Sequence, residues 1–195
     1  MDRSTERRPY NAVSDFVDAH IAAGRASKVA FVDPERSLTY GELQERSIRF
    51  AHALLGLGLQ PEHRVALLLN DTVDYPVAFW GAIRAGCVAI PLNIYLTLPQ
   101  YAYVLADCRA QAIVADAALA DAIRPVLEQL PRRPALILVG GTTIPRAHAF
   151  ESLIAKAQSK FFAAETVSDE VAFWFYTSGS TGDPKGVKHV HSNLM

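Results

Sequence analysis

The sequence predicts an α/β fold with a mostly parallel sheet flanked by helices. From about residue 13 onward, short apolar runs alternate with amphipathic segments. Several of these runs, such as "RVALLLN" and "CVAIPLN", are apolar at consecutive positions, as expected of strands that are buried on both faces. Half of the 195 residues are hydrophobic and a fifth are charged, which is the composition of a globular protein with a core.

The first part of the chain predicts a helix, a hairpin and a longer helix. "VSDFVDAHIAA" has the apolar spacing of an amphipathic helix, with Ser14 as its expected N-cap. "KVAFVD", "PERS" and "LTY" predict two strands joined by a turn. "YGELQERSIRFAHALLGLG" is the clearest helix, and Gly56 and Gly58 are expected to end it.

The middle of the chain predicts alternating strands and helices. In order, these are strand "RVALLLN", helix "VDYPVAFWGAIRAG", strand "CVAIPLN", helix "LPQYAYVLADC", strand "QAIVAD", helix "AALADAIRPVLEQL" and strand "ALILVG". "GGTTIPRAHAF" then predicts a surface loop and "FESLIAKA" a short helix. The last predicted strand, "VAFWFY", leads directly into a loop rich in hydroxyls, which we therefore expect at the carboxyl edge of the sheet, where ligands usually bind in α/β folds.

This loop, "YTSGSTGDPKGV", contains the residue types that bind a polyphosphate. Its four Ser and Thr hydroxyls can donate to phosphate oxygens, and its glycines allow backbone N–H groups to approach an anion. Lys185 adds a positive charge. The G-x-x-x-x-G-K-[ST] pattern does not match, because Pro184 precedes Lys185 and Gly186 follows it. A flexible Ser/Gly linker is the alternative on spacing alone, but linkers seldom follow an apolar strand directly.

"YTSGSTGDPKGV" resembles the phosphate-loop motif of the adenylate-forming enzymes, which include acyl- and aryl-CoA ligases, luciferases and peptide-synthetase adenylation domains. "LTYGELQERS", "GAIRAGCVAIPLN" and "VKHVHSNL" resemble further parts of this superfamily in the same order. "VAFWGAIRAG", "YAYVLADCRAQAIVAD" and "FWFYTSGSTG" are similar to the benzoate-CoA ligase branch. The fold implied is the N-terminal portion of the large domain of an adenylate-forming enzyme.

The resemblance implies a two-step reaction that uses ATP, Mg²⁺ and coenzyme A. A carboxylic acid, expected to be an aryl acid such as benzoate, forms an acyl-adenylate and pyrophosphate, and coenzyme A then displaces AMP. The residues implied in phosphate binding are Thr177, Ser178, Gly179, Ser180, Thr181, Gly182 and Lys185. Thr181 is also the candidate Mg²⁺ contact. His191 is a further candidate for the nucleotide site, because the family often has a histidine near the start of the helix after the loop.

The resemblance covers nearly all of this chain but less than half of a typical family member. We therefore interpret residues 1–195 as part of an N-terminal ATP-binding domain, without the rest of that domain or the lid with its catalytic lysine, and expect no catalysis from it alone. Apolar surface left bare favours self-association. The alternatives are a non-catalytic module for phosphate binding or association, and an adenylate-forming enzyme whose acceptor is not coenzyme A.

Composition excludes several other classes of protein. A formal net charge of −1 gives no basic surface for nucleic acid or anionic membranes. The charged N-terminus does not resemble a signal peptide, and the longest apolar runs are too short to span a bilayer. Cys87 and Cys108 lack metal-ligand spacing, so we expect reduced, buried thiols and a cytoplasmic protein.

Overall fold

The computed structural model describes residues 8–141, 144–177 and 183–194. Within them, the helices are α1 (Ala19–Ala22), α2 (Tyr40–Gly56), α3 (Asp74–Arg84), α4 (Leu98–Cys108), α5 (Ala117–Ala122), α6 (Arg124–Gln129) and α7 (Phe150–Lys156). The strands are β1 (Val29–Val32), β2 (Ser37–Thr39), β3 (Arg64–Leu68), β4 (Val88–Pro91), β5 (Ala112–Asp116), β6 (Ala135–Val139), β7 (His148–Ala149), β8 (Val171–Thr177) and β9 (Lys185–Val190). A π-helical turn (Ser14–Asp18) precedes α1 and a 3₁₀ turn (His191–Leu194) follows β9.

The main sheet has seven strands in the order β7-β6-β5-β3-β4-β8-β9. Neighbouring strands are parallel from β7 to β8, and only the β8–β9 pair is antiparallel. Strands β1 and β2 form a separate antiparallel hairpin. The predicted α/β class with a mostly parallel sheet is therefore confirmed, as is the predicted hairpin.

Helices cover both faces of the sheet, so the sheet has a hydrophobic core on each side. Side chains alternate along the central strand β3: Val65 and Leu67 contact the core that includes residues of α2, α3 and α7. Ala66 and Leu68 contact the opposite core, which includes residues of α4, α5 and α6. All four are fully buried, and this explains why the strand is apolar at every position.

Helix α2 begins at a capping box and packs closely against α3. Thr39 Oγ1 accepts a hydrogen bond from the Glu42 backbone N–H, and the Glu42 carboxylate accepts one from the Thr39 N–H at 2.7 Å. At the crossing with α3, a Cβ atom on Gly81 would lie 2.7 Å from Cδ1 of Phe50. A glycine is therefore required at this contact.

The structure corrects four predictions about local structure. Ser14 does not cap the first helical segment; its N-cap is Val13, whose N–H donates instead to Asn11 Oδ1 at 3.2 Å. The single helix predicted for "AALADAIRPVLEQL" is two helices, and Pro125 lies in the first turn of the second. The predicted loop "GGTTIPRAHAF" contains the two residues of β7. Strand β9 was not predicted at all.

The two cysteines are free and buried, as expected. Burial raises the pKa of Cys87 to about 12 and that of Cys108 to about 11, so both remain thiols at neutral pH. No helix in the described parts of the chain has the length and apolar character needed to cross a membrane.

Candidate functional site

The two ends of the predicted phosphate loop lie side by side at one edge of the sheet. Thr177 is the last residue of β8 and Lys185 the first of β9, and the two are partners in the antiparallel pairing. Both are exposed. The structure thus brings one predicted hydroxyl and the predicted lysine together. The remaining predicted phosphate-binding residues, Ser178, Gly179, Ser180, Thr181 and Gly182, lie outside the described residues.

This edge of the sheet is also a topological switch point. The chain leaves β3 through α3, whose buried side chains contact one core, and leaves β4 through α4, whose buried side chains contact the other. The connections after these adjacent strands therefore diverge to opposite faces. Ligands in open α/β sheets bind in the crevice that such a divergence creates, and β8 is parallel to β4 and ends at the same edge.

A cavity of about 370 Å³ lies at this edge, among residues that follow β3 and β4 and the end of β8. Asn70 is held there because its backbone N–H and its side-chain amide both donate to the Asp116 carboxylate, each at 2.6 Å. Asn93 Oδ1 accepts from the backbone N–H of Tyr95 at 2.9 Å. Sequence reasoning missed this cavity, although the asparagine that closely follows each buried strand is a signal that can be read from the sequence.

The aromatic residues of strand β8 differ in how deeply they are buried. Phe173 is 5% exposed and stacks on His189, with ring centroids 4.6 Å apart. Trp174 is half-buried on the other face, where Lys188 Nζ lies 5.2 Å from its ring centroid. Phe175 is 44% exposed. Phe173 is therefore a core residue, and Phe175 is not.

His191 holds the N-terminal segment against the end of β9. Its side chain is buried, its Nδ1 accepts a hydrogen bond from the Ala12 backbone N–H at 3.1 Å, and the ring meets Tyr10 edge-on. Burial lowers the pKa of His191 to about 4, so the ring is neutral at pH 7 and can accept this bond. The contact is structural, and the role of His191 in a nucleotide site stays a prediction.

This contact predicts a loss of stability in acid. Above pH 6.5 the ring is neutral in both the folded and the unfolded chain. As the pH falls from 6.5 to about 4, the unfolded chain binds a proton that the folded chain excludes, so the free energy of unfolding should fall by about 3 kcal/mol. His191→Asn keeps an acceptor that does not titrate, and its loss between these pH values should be smaller. Urea unfolding at several pH values measures both, and equal losses would contradict the assignment.

The described residues contain no group of three or more His, Cys, Asp or Glu side chains that could hold a metal ion. The predicted Mg²⁺ contact, Thr181, lies outside those residues.

Comparison with known proteins places these features in a family. Residues 19–195 match the family model described as "AMP-binding enzyme". The chain is 46% identical over 186 residues to a 4-hydroxybenzoate–CoA/benzoate–CoA ligase of Rhodopseudomonas palustris, covering 95% of this chain and 34% of the relative. It is 39% identical to a benzoate–CoA ligase of Thauera aromatica, covering 95% of this chain and 35% of the relative.

Solved structures show the same likeness. A benzoate CoA ligase from Burkholderia xenovorans superimposes with a TM-score of 0.82 at 40% identity, over 94% of this chain and 35% of that one. An anthranilate CoA ligase in complex with anthranoyl-AMP superimposes with a TM-score of 0.87 at 28% identity, over 99% of this chain and 37% of the anthranilate CoA ligase chain. The chain spans about a third of the length of these relatives. On the match of its fold and of nearly all its residues, the chain belongs to the AMP-binding enzyme family.

Proposed function

We propose that this chain is part of an ATP-dependent ligase that joins an aryl acid, such as benzoate, to coenzyme A. The observation that carries the proposal is the pairing of Thr177 with Lys185 at the switch-point edge of the sheet, in a chain 46% identical to a 4-hydroxybenzoate–CoA/benzoate–CoA ligase. In the first step, an acid carboxylate oxygen bonds to the α-phosphorus of ATP and pyrophosphate leaves. In the second, the coenzyme A thiolate bonds to the acyl carbon and AMP leaves.

The residues proposed from this chain act in the first step, in which the acid reacts with ATP and pyrophosphate leaves. The exposed ammonium of Lys185 offsets negative charge on the β- and γ-phosphates, and the Thr177 hydroxyl donates to a phosphate oxygen. Residues 178–182 are proposed to complete the phosphate contacts with hydroxyls and backbone N–H groups. The contribution of these groups is positioning of the triphosphate and stabilisation of the departing pyrophosphate.

Mg²⁺ is proposed as an ion that arrives with the triphosphate. Mg²⁺ commonly binds through substrate phosphates, with few protein ligands. The described part of the chain, with no cluster of three potential metal ligands, suits such an ion better than one held in a protein cage. Thr181 is the contact we propose from this sequence.

We further propose that residues 1–195 form the N-terminal part of the ATP-binding domain, and that the segments needed for the complete active site lie in the other two thirds of the relatives' length. A solved structure described as the N-terminal domain of FACL13 from Mycobacterium tuberculosis matches this chain with a TM-score of 0.78 at 27% identity, which supports this placement. The two free, buried thiols support a cytoplasmic location.

Self-association of this chain by itself is a related proposal. Strand β9 is the last strand in the sheet order, and Phe175 and Val187 are 44% and 43% exposed beside it. An unpaired strand edge next to exposed apolar side chains favours pairing with a second copy.

The test is acid-dependent exchange of labelled pyrophosphate into ATP by the complete protein that contains this sequence. We expect exchange with benzoate or 4-hydroxybenzoate, little with a long-chain fatty acid, and a thioester once coenzyme A is added. The 195-residue chain alone should give no exchange. If no carboxylic acid supports exchange by the complete protein, the proposal is wrong; exchange without a thioester would favour an acceptor other than coenzyme A.

A further inference from the structure

A hydrogen bond joins the strand that enters the loop to a helix on the sheet. The hydroxyl of Tyr176 donates to Oδ2 of Asp107, on α4, at 2.5 Å. Tyr176 immediately precedes Thr177, and its partner in the β8–β9 pairing is Gly186, which immediately follows Lys185. Tyr176 therefore precedes one end of the loop in sequence and is paired with the residue that follows the other end.

Two contacts fix the Tyr176 side chain. Its ring lies against Gly186, since a Cβ atom on that glycine would lie 3.4 Å from ring atoms Cε1 and Cζ. Its hydroxyl is fixed by Asp107. Burial, followed by the hydrogen bond and charge of Asp107, raises the pKa of Tyr176. The hydroxyl thus remains a protonated donor, and a bond from a hydroxyl to a carboxylate is among the stronger hydrogen bonds in proteins.

Helix α4 is a firm anchor for this bond. It begins at a capping box in which Gln100 Oε1 accepts from the Thr97 N–H at 2.9 Å. Its Tyr101 hydroxyl donates to the Asn93 carbonyl, just after β4, at 2.9 Å. Val104 and Leu105 are buried in the core beneath it. The helix is therefore fixed to the parallel part of the sheet.

The β8–β9 pair needs such an anchor. In the described residues β9 is an edge strand, joined to the sheet only through β8, and β8 is in register with β4 at the single pair Ala89↔Phe173. The carboxyl half of β8, which carries Thr177, extends beyond that pair. The bond from Tyr176 to Asp107 is thus a direct link between this projecting end and a helix packed on the sheet.

We infer that Tyr176 and Asp107 are a positioning pair that sets the two ends of the phosphate loop, Thr177 and Lys185, for binding the triphosphate. The inference rests on the proposed function for its kinetic consequence. Neither residue is assigned a contact with ATP; the pair acts through the residues on either side of the loop. Small displacements of Thr177 and Lys185 should lower the rate of the first step, because catalysis in this step depends on alignment of the phosphates.

The variants are Tyr176→Phe, Asp107→Ala and Asp107→Asn in the complete protein, with Tyr10→Phe as the matched control. The control also removes a tyrosine hydroxyl that donates to an aspartate, Asp15 at 2.9 Å, but this bond lies within the N-terminal segment. We expect Tyr176→Phe and Asp107→Ala to lower kcat/KM for ATP about 10-fold with KM for the acid unchanged. The double variant should be no worse than either. Asp107→Asn keeps an acceptor oxygen and should restore most of the rate.

Amide hydrogen exchange across residues 171–190 gives a readout that does not need activity. Tyr176→Phe should speed amide exchange at β9 and at the end of β8, whereas Tyr10→Phe should leave it unchanged. If amide exchange in Tyr176→Phe is no faster than in the control variant, the positioning pair is overturned. If the wild-type protein exchanges pyrophosphate and Tyr176→Phe has unaltered ATP kinetics, the pair is also overturned. If the wild type has no exchange activity with any acid, the proposed function fails, and amide exchange still decides whether the pair positions the strands.

Discussion

Replacing Lys185 by alanine in the complete protein is expected to lower the rate of acid-dependent ATP–pyrophosphate exchange about 100-fold. Loss of one preorganised charged or hydrogen-bonding group at developing negative charge has effects of this size. Lys185 is exposed at the first position of β9, beside Thr177, so its removal should leave no buried group unpaired. The melting temperature should therefore change little while the rate falls. Thr181→Ala is expected to weaken the same step.

Lys188→Ala is the matched control for Lys185→Ala. Lys188 has the same charge, lies on the same strand and is also exposed, but it is three residues farther along and lies over the ring of Trp174. Loss of activity in both variants would mean that general surface charge is responsible. Unchanged exchange in Lys185→Ala would contradict the phosphate assignment altogether.

The sheet could be predicted because its central strands carry a strong local signal. In "RVALLLN" and "CVAIPLN" every position of the strand core is apolar, and only burial on both faces explains this pattern. Strand β9 has the opposite character: "KGVKHV" is mostly exposed, with lysines and a glycine. Its partner is β8, across the loop. An edge strand of this kind is defined by its hydrogen bonds and not by its own hydrophobicity.

The candidate site likewise has one part that a local sequence pattern predicts and another part that it does not. The phosphate loop was recognisable because its hydroxyls, glycines and lysine are contiguous in sequence. The pairing of Tyr176 with Asp107 joins residues 69 positions apart, and neither has a neighbour that signals the other. Contacts of this type depend on how α4 packs on the sheet, which no local pattern specifies.

Arg84 is the clearest example of a residue whose contacts depend on tertiary packing. In "GAIRAG" it has the appearance of an ordinary cation near a helix C-terminus, yet its side chain is completely buried. It donates to both oxygens of Asp18, at 2.7 and 3.2 Å, and to the carbonyl of Phe162 at 3.0 Å. Its Nε donates to Ser47 Oγ at 3.2 Å. One guanidinium thus joins α3 to α2, the N-terminal turn and the segment after α7.

Arg84→Ala is expected to lower the free energy of unfolding by about 3–5 kcal/mol. The loss is large because the Asp18 carboxylate, only 15% exposed, would lose its counter-charge and keep only the Gln44 amide as a donor. The Phe162 carbonyl would lose the guanidinium. Urea unfolding of the 195-residue chain, followed by the fluorescence of Trp80 and Trp174, measures the change. Arg124→Ala is the control: Arg124 pairs with Asp121, both about 40% exposed, and its loss should cost under about 1 kcal/mol.

A second variant separates the cost of an unpaired charge from the value of the ion pair itself. When both members of a buried pair are replaced by apolar residues of similar volume, stability is often retained. Arg84→Met combined with Asp18→Leu should therefore recover a large part of the stability that Arg84→Ala loses. A double variant as unstable as Arg84→Ala would mean that lost hydrogen bonds carry the effect, those of Arg84 with Ser47 and Phe162 and that of Gln44 with Asp18, and not the uncompensated charge of Asp18. A loss below about 1 kcal/mol in Arg84→Ala would mean that water replaces the guanidinium, and that the fold does not depend on this contact.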